Sequence, residues 1–245
     1  MPRTFTQRLS GNANDAAEFS NSTSFTSGPT ATYGAGIVAG RSGAAGNPYH
    51  YSGFRFTNVT IAKNMSIVSA KITFTDQNNN NITSMTVPIY CEAADNAVDF
   101  ASSATVTGRT LTSAIGTWST VSSQTTDTAR DTDDFVLPVR EVINRAGWVS
   151  GNSLMVLFRT SSATINQSYQ CPFYEDSATK CALLTIVYGH IDDSDTEVTT
   201  DSATVILGSI ISVSDTSTSS DSATLKHGFG NQSKSSSTWT NQTKK

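Results

Sequence analysis

Apolar and polar residues alternate with a period of two in several segments, a pattern typical of β-strands with one buried face. The clearest segments are 54–61 and 67–75, which the short turn-like segment 62–66 connects. A third segment, 85–92, alternates in the same way but contains Pro88. A proline inside a strand favours an edge position or a bulge, so we expect this strand at an edge or bulged.

Two further segments are almost continuously apolar, as expected for strands that are buried on both sides. They span residues 153–159 and 182–188, and we predict both to be central strands. One helix is predicted, over residues 138–145. Pro138 suits its first turn, three apolar residues recur on one helical face, and Gly147 provides a stop.

The predicted loops are rich in Asn and Gly. Residues 76–81 include four consecutive Asn, which tolerate left-handed backbone conformations and hydrogen-bond to their own backbone. Residues 34–48 contain five Gly in a stretch without the strand-to-helix context of a phosphate-binding loop, so a plain loop is expected.

Short strands at regular spacing with a single short helix predict an all-β fold. We expect an antiparallel β-sandwich, jelly-roll-like, with an extended C-terminal arm. A length of 245 residues and a hydrophobic content of 37% are sufficient for such a core. The predicted divisions are an N-terminal arm with the first strands and the Gly-rich loop (1–50), a sandwich core (51–189) and the arm (190–245).

The predicted arm differs in composition from the rest of the chain. Ser and Thr make up 23 of its 56 residues, and such segments rarely bury enough surface to offset their ordering entropy. Residues 201–204 recur at 221–224, and 231–234 recur with one change at 241–244, which suggests an arm laid along a partner surface. The predicted interface anchors are a β-branched run and a late tryptophan: Val205, Ile206, Leu207, Ile210, Ile211 and Trp239.

The charge and the N-terminal sequence limit the partners and the location. The net charge is −4 and only 15% of the residues are charged, so a nucleic-acid partner is not expected. The N-terminus has no apolar h-region and no apolar run is long enough to span a membrane, so we expect cytoplasmic synthesis without a signal peptide and no membrane partner.

Residues that could carry catalysis are few. Cys91, Cys171 and Cys181 have no CxxC spacing and are expected to be buried, unreactive thiols. His50, His190 and His227 have no metal-ligand spacing and are expected to be incidental surface residues. No catalytic motif is present, so we expect a protein without enzymatic activity, catalytic residues or a required cofactor.

Two binding chemistries remain open on the predicted sandwich. Glu92, Asp95 and Asp99 form one acidic loop, and a second one spans residues 127–134, so calcium binding is possible, although Asp133 or Asp134 could instead cap the helix. Exposed aromatic side chains could stack on a glycan. The candidates are Trp118, Trp148, Trp239, Tyr169, Phe173 and Tyr174, with core packing the alternative for Trp118 and Trp148 and a partner interface the alternative for Trp239.

Much of the sandwich region also resembles a known family. The matching segments are 51–61, 67–74, 89–96, 141–154 and 183–188, and the Gly147-Trp148 turn is their most specific part. They are similar to a β-sandwich domain that recurs in tailed-phage virion proteins and bacterial surface proteins. The end of the arm resembles terminal repeats of phage structural proteins.

The resemblance implies a fold and a setting but no reaction. The function expected from it is that of a non-enzymatic virion structural protein anchored through its N-terminal segment and its C-terminal arm. It would be either a capsid decoration or cement protein or a neck, tail or fibre component. The expected partners are other virion proteins and copies of itself, and the expected location is the virion. The alternative is a carbohydrate-binding module or adhesin for a cell-surface glycan.

Overall fold

The computed structural model describes residues 2–20, 25–27, 36–43, 46–83, 85–100 and 105–189, with only the backbone described at 25–27. These residues form one helix, α1 Val136–Ile143, and a set of strands. The strands are β1 Arg3–Arg8, β2 Asp15–Phe19, β3 Phe25–Ser27, β4 Ile37–Arg41, β5 Tyr49–Phe56, β6 Ser66–Thr75, β7 Met85–Cys91, β8 Gly116–Trp118, β9 Ala129–Asp131, β10 Leu154–Arg159, β11 Ser162–Ala163, β12 Gln167–Gln170 and β13 Leu183–Gly189.

The strands form two antiparallel sheets. The smaller sheet has the order β1-β13-β6-β9. The larger has the order β11-β7-β10-β5-β2-β3, with β4 pairing with β5 and β12, and β8 pairing with β7. The two sheets pack face to face, which confirms the predicted all-β sandwich with one short helix.

Aromatic side chains from both sheets meet in the core between them. Phe74 of β6 lies 5.3 Å from Phe54 of β5 and 5.5 Å from Phe158 of β10, measured between ring centroids. All three rings are fully buried. From Ala70 to Phe74, alternation along β6 directs the apolar side chains into this core and the polar side chains outward.

The apolar run of β10 has two buried faces. Leu154, Val156 and Phe158 belong to the core between the sheets. Met155 and Leu157 belong to a second cluster on the other side of the larger sheet. Since β10 lies between β5 and β7, and β13 lies between β1 and β6, both strands predicted to be central have partners on each side.

Helix α1 begins and ends two residues earlier than predicted, and its buried residues Pro138, Val139, Val142 and Ile143 include the predicted apolar face. Phe135 occupies the N-cap position and makes no side-chain capping hydrogen bond. The alternative role of Asp133 or Asp134 as the helix cap is therefore wrong.

Three local expectations fail. The strand predicted at 54–61 is β5, which ends at Phe56 because Asn58 adopts a left-handed conformation with φ of 51°. Pro88 does not mark an edge strand, because β7 pairs with β10 and β11 on one side and with β8 on the other, although the register against β10 and β11 shifts by one residue opposite Pro88. The Gly-rich segment is not all loop, because β4 lies within it.

The sandwich includes strands from the first fifty residues. β1 pairs with β13 along its whole length, from Arg3 opposite Tyr188 to Arg8 opposite Leu183. The boundary predicted at residue 50 falls inside β5.

The predicted arm, 190–245, lies outside the described residues. No helix in the described part of the chain is long and apolar enough to cross a membrane.

Candidate functional site

The acidic residues proposed for calcium lie against arginines. Glu92 forms a salt bridge with Arg109 at 3.1 Å, and Asp95 forms one with Arg145 at 2.7 Å. The main-chain oxygen of Asp99 accepts a hydrogen bond from Arg109 at 3.0 Å. A calcium site instead requires several oxygens that converge on one point. Among the described residues, no three His, Cys, Asp or Glu side chains are grouped to hold a metal ion.

The second acidic loop connects secondary-structure elements. Asp134 accepts hydrogen bonds from the Ser69 hydroxyl at 2.8 Å and the Ala70 amide at 2.7 Å, which joins the start of α1 to β6. Asp133 accepts hydrogen bonds from Ser119 and Thr120. Burial acts to raise the pKa of Asp133, but these hydrogen bonds outweigh it and lower the pKa.

Most of the aromatic side chains considered for glycan stacking are in the core. The four buried ones are Trp118, Trp148, Tyr169 and Phe173, and Tyr174 is partly buried against them. The Trp148 indole donates a hydrogen bond to the Ile61 carbonyl at 2.9 Å. The core alternative is confirmed for Trp118 and Trp148, and the four buried rings are not available as stacking platforms. Trp239 lies outside the described residues, as do the other predicted anchors Val205, Ile206, Leu207, Ile210 and Ile211.

The histidine and cysteine residues are buried where they are described. His50 of β5 is not a surface residue, because it packs against Phe19 with ring centroids 4.8 Å apart, and burial lowers its pKa to about 4. The thiols of Cys91, Cys171 and Cys181 are buried, as predicted, and burial raises the pKa of each. His190 and His227 lie outside the described residues.

A polar cluster that the sequence did not single out lies at the end of β6. It consists of three segments, 77–83, 119–126 and 161–170, which we call the neutral tip. Although 15% of the whole chain is charged, none of these segments contains Asp, Glu, Lys, Arg or His. Their side chains are mainly amides and hydroxyls, which both donate and accept hydrogen bonds.

Hydrogen bonds connect the three segments to one another. The side-chain amide of Asn80 donates to the Ser168 carbonyl at 3.0 Å and to the side-chain oxygen of Gln124 at 3.3 Å. The same Gln124 oxygen accepts a hydrogen bond from the backbone amide of Gln170 at 2.9 Å. The backbone amide of Thr83 donates to the side-chain oxygen of Gln167 at 2.9 Å. These bonds make the neutral tip a single surface although its segments are distant in sequence.

The buried Asp76 forms hydrogen bonds to residues of the neutral tip. Its carboxylate is fully buried and accepts hydrogen bonds from the Tyr169 hydroxyl at 2.7 Å and from the Thr125 amide at 2.9 Å. Arg130 completes the arrangement with a salt bridge of 2.6 Å. Burial, followed by the hydrogen bond to Asp76, raises the pKa of Tyr169. The phenol therefore stays protonated and neutral at physiological pH.

The sequence contained a weak indication of this site. A single Asp at the end of a predicted strand, followed by four Asn, predicted only a loop. The side-chain hydrogen-bond partners of Asp76 lie 48 to 93 residues further along the chain, so no local spacing reveals them.

Comparisons with protein-family models, with curated proteins and with solved structures found no match to this chain.

Proposed function

We propose that this protein is a non-enzymatic structural protein of a tailed-phage virion, attached to the particle through residues 190–245. The role is that of a capsid decoration or cement protein or of a neck, tail or fibre component. Its partners are other virion proteins and further copies of itself, and its location is the virion.

The observation that carries the proposal is a contrast between two parts of the chain. Residues 3–189 contribute to a sandwich whose ionisable side chains are largely engaged in structural contacts, as for Asp76 and Asp134. Residues 190–245 follow directly from β13 and have a repetitive Ser/Thr-rich composition with one β-branched run. Such a run, next to polar repeats, suits pairing with a partner sheet.

Partner binding by this segment is testable in the full-length protein. A double substitution, Ile206→Asp and Ile210→Asp, places two charges in the apolar run, and burying an unpaired charge is strongly unfavourable. We expect the amount of protein that cosediments with capsid or tail particles to fall at least about tenfold. A Trp239→Ala variant should give a smaller loss in the same direction.

A matched control adds a charge at a polar position of the same run. Ser209→Asp should cosediment like the wild-type protein. The mass of the unbound protein in solution is a separate measurement, and it should show whether copies associate with one another. Equal cosedimentation of the double variant and the control would contradict the proposal, as would a wild-type protein that never cosediments.

A further inference from the structure

The neutral tip has the chemical character of a binding surface for a neutral ligand. Its only ionisable side chain is Tyr169, which is buried and hydrogen-bonded to Asp76. Nucleic acids and acidic polymers are bound by clustered Lys and Arg, which the three segments lack. A protein interface is usually centred on large apolar or aromatic anchors. Ile165 is the single large apolar side chain that the described part of the tip exposes, at 43%.

The outward-facing groups of the tip are held in place by internal hydrogen bonds. The Asn79 side-chain oxygen accepts from the Thr126 amide at 2.9 Å, and the Asn81 side-chain oxygen accepts from the Ser123 hydroxyl at 2.9 Å. Both asparagines are exposed. Their Nδ2 groups make none of the hydrogen bonds found within the described residues, so they are available as oriented donors.

This arrangement lowers the cost of binding a hydroxylated ligand. Groups that are already ordered lose little conformational entropy when a ligand binds. A sugar ring presents hydroxyls, which pair with amide donors and acceptors, and an apolar C–H face, which can contact Ile165. A surface built for hydroxyl hydrogen bonds also discriminates against ligands that lack those hydroxyls.

We infer that the neutral tip is a binding site for a neutral polysaccharide, with Asn79, Asn81 and Ile165 in contact with the sugar. Glycan recognition thus uses amides and hydroxyls at the end of the sandwich and not the buried aromatic rings considered above. The inference does not depend on a virion location, because it rests on the chemistry of the described tip alone.

The test uses the full-length protein on an array of neutral hexose and N-acetylhexosamine oligosaccharides, with sialylated and sulfated oligosaccharides beside them. Asn79→Asp and Asn81→Asp are the informative variants. Each retains the oxygen that accepts the internal hydrogen bond and replaces the outward donor with a carboxylate oxygen. We expect the wild-type protein to bind neutral glycans and each variant to bind at least about tenfold more weakly.

The matched control is Asn58→Asp, which makes the same change at an exposed asparagine outside the tip. It should bind like the wild-type protein, and equal melting temperatures would show that all the variants are folded. The inference is overturned if the wild-type protein binds no neutral glycan, if it binds only acidic ones, or if the tip variants bind as well as the control. Cosedimentation with virion particles can succeed or fail independently of these results.

Discussion

Individual Asn and Asp residues fix the turns of this sandwich. Five residues other than glycine have positive φ in the described part of the chain, and all five are Asn or Asp: Asn47, Asn58, Asn64, Asp127 and Asn166. The left-handed conformation costs most residues about 1 kcal/mol or more, and these two residue types tolerate it best. These Asn and Asp residues therefore provide tight connections between strands.

One buried carboxyl group gives the fold a dependence on pH. Asp15 is fully buried in β2, where one carboxyl oxygen accepts a hydrogen bond from the Tyr174 amide at 2.8 Å. The other oxygen has no hydrogen-bond partner within the part of the chain that the structure describes. Burial raises the pKa of Asp15 to about 8, and the nearby carboxylates of Glu175 and Asp176 add to this increase.

The sign of the effect follows from the two states of the chain. Folded Asp15 keeps its proton up to a pH of about 8, whereas the unfolded chain releases it near the ordinary pKa of 3.8. The free energy of unfolding of the wild-type protein therefore falls as the pH rises between these values. Asp15→Asn removes this dependence. Urea denaturation from pH 5 to pH 8 should show the variant gaining roughly 3 kcal/mol relative to the wild-type protein.

Asp133→Asn provides a control with the opposite sign. The pKa of Asp133 is lowered in the folded protein, so its contribution is present above the unfolded pKa and is lost only as the pH falls through its folded pKa. The deficit of this variant should stay constant from pH 5 to pH 8. A flat difference for Asp15→Asn over the same range would show that Asp15 is not protonated in the folded protein.

At the scale of elements, one connection covers the outer face of the larger sheet. We call residues 92–100 and 105–111 the strap. Arg55 of β5 donates to the Ala97 carbonyl at 2.7 Å, and Arg159 of β10 donates to the Val106 carbonyl at 2.9 Å. Phe100 of the strap is buried against the sheet. The strap thereby explains why β10 is apolar on both faces.

Gly53 gives the strap room to approach β5. A Cβ atom at this position would lie 2.6 Å from Cζ of Phe100 and 3.0 Å from Cδ2 of Leu157, both closer than ordinary contact. Gly53→Ala should therefore destabilise the protein by about 1–3 kcal/mol in urea denaturation, since the packed cluster must shift. Gly11→Ala is the control, because its nearest neighbour would be Asn14 at an ordinary 3.5 Å. Equal stability of the two variants would mean that Phe100 moves aside without cost.

The elements that the sequence predicted are those with a strong local pattern. The segments 67–75, 85–92, 153–159 and 182–188 correspond to β6, β7, β10 and β13 within one residue at each end. Alternation or a continuous apolar run is sufficient to define such strands.

The elements that were missed depend on partners that are far away in sequence. β1 has a polar sequence and is a strand because it pairs with β13, more than 170 residues later. β12 is short and polar and pairs with β4. The neutral tip was missed for the same reason, because its composition was visible but the hydrogen bonds that unite it were not.

For the whole molecule, the two sheets are joined both by the aromatic core and by a polar clamp. Asp76 follows β6 and Arg130 lies in β9, both from the smaller sheet, while Tyr169 lies in β12 of the larger sheet. The hydrogen bond between Tyr169 and Asp76 therefore connects the sheets at the end that carries the neutral tip. Gln124 adds a further contact to Asp76 at 3.3 Å.

A double-mutant cycle measures the strength of this clamp. Tyr169→Phe removes one donor to a buried carboxylate and should lower the free energy of unfolding by about 1–3 kcal/mol. Asp76→Asn also breaks the pair with Arg130 and should cost about 2–4 kcal/mol, somewhat less than a fully buried pair because the Arg130 side chain is 27% exposed. The double variant should lose less free energy of unfolding than the sum of the two single losses, by at least about 0.5 kcal/mol, because both changes remove the same hydrogen bond.

Tyr188→Phe serves as the control, since the Tyr188 hydroxyl makes none of the hydrogen bonds found within the described residues. Its free energy of unfolding should be close to that of the wild-type protein. Strict additivity of the two substitutions would mean that the clamp does not couple the sheets and that the aromatic core alone holds this end of the sandwich together.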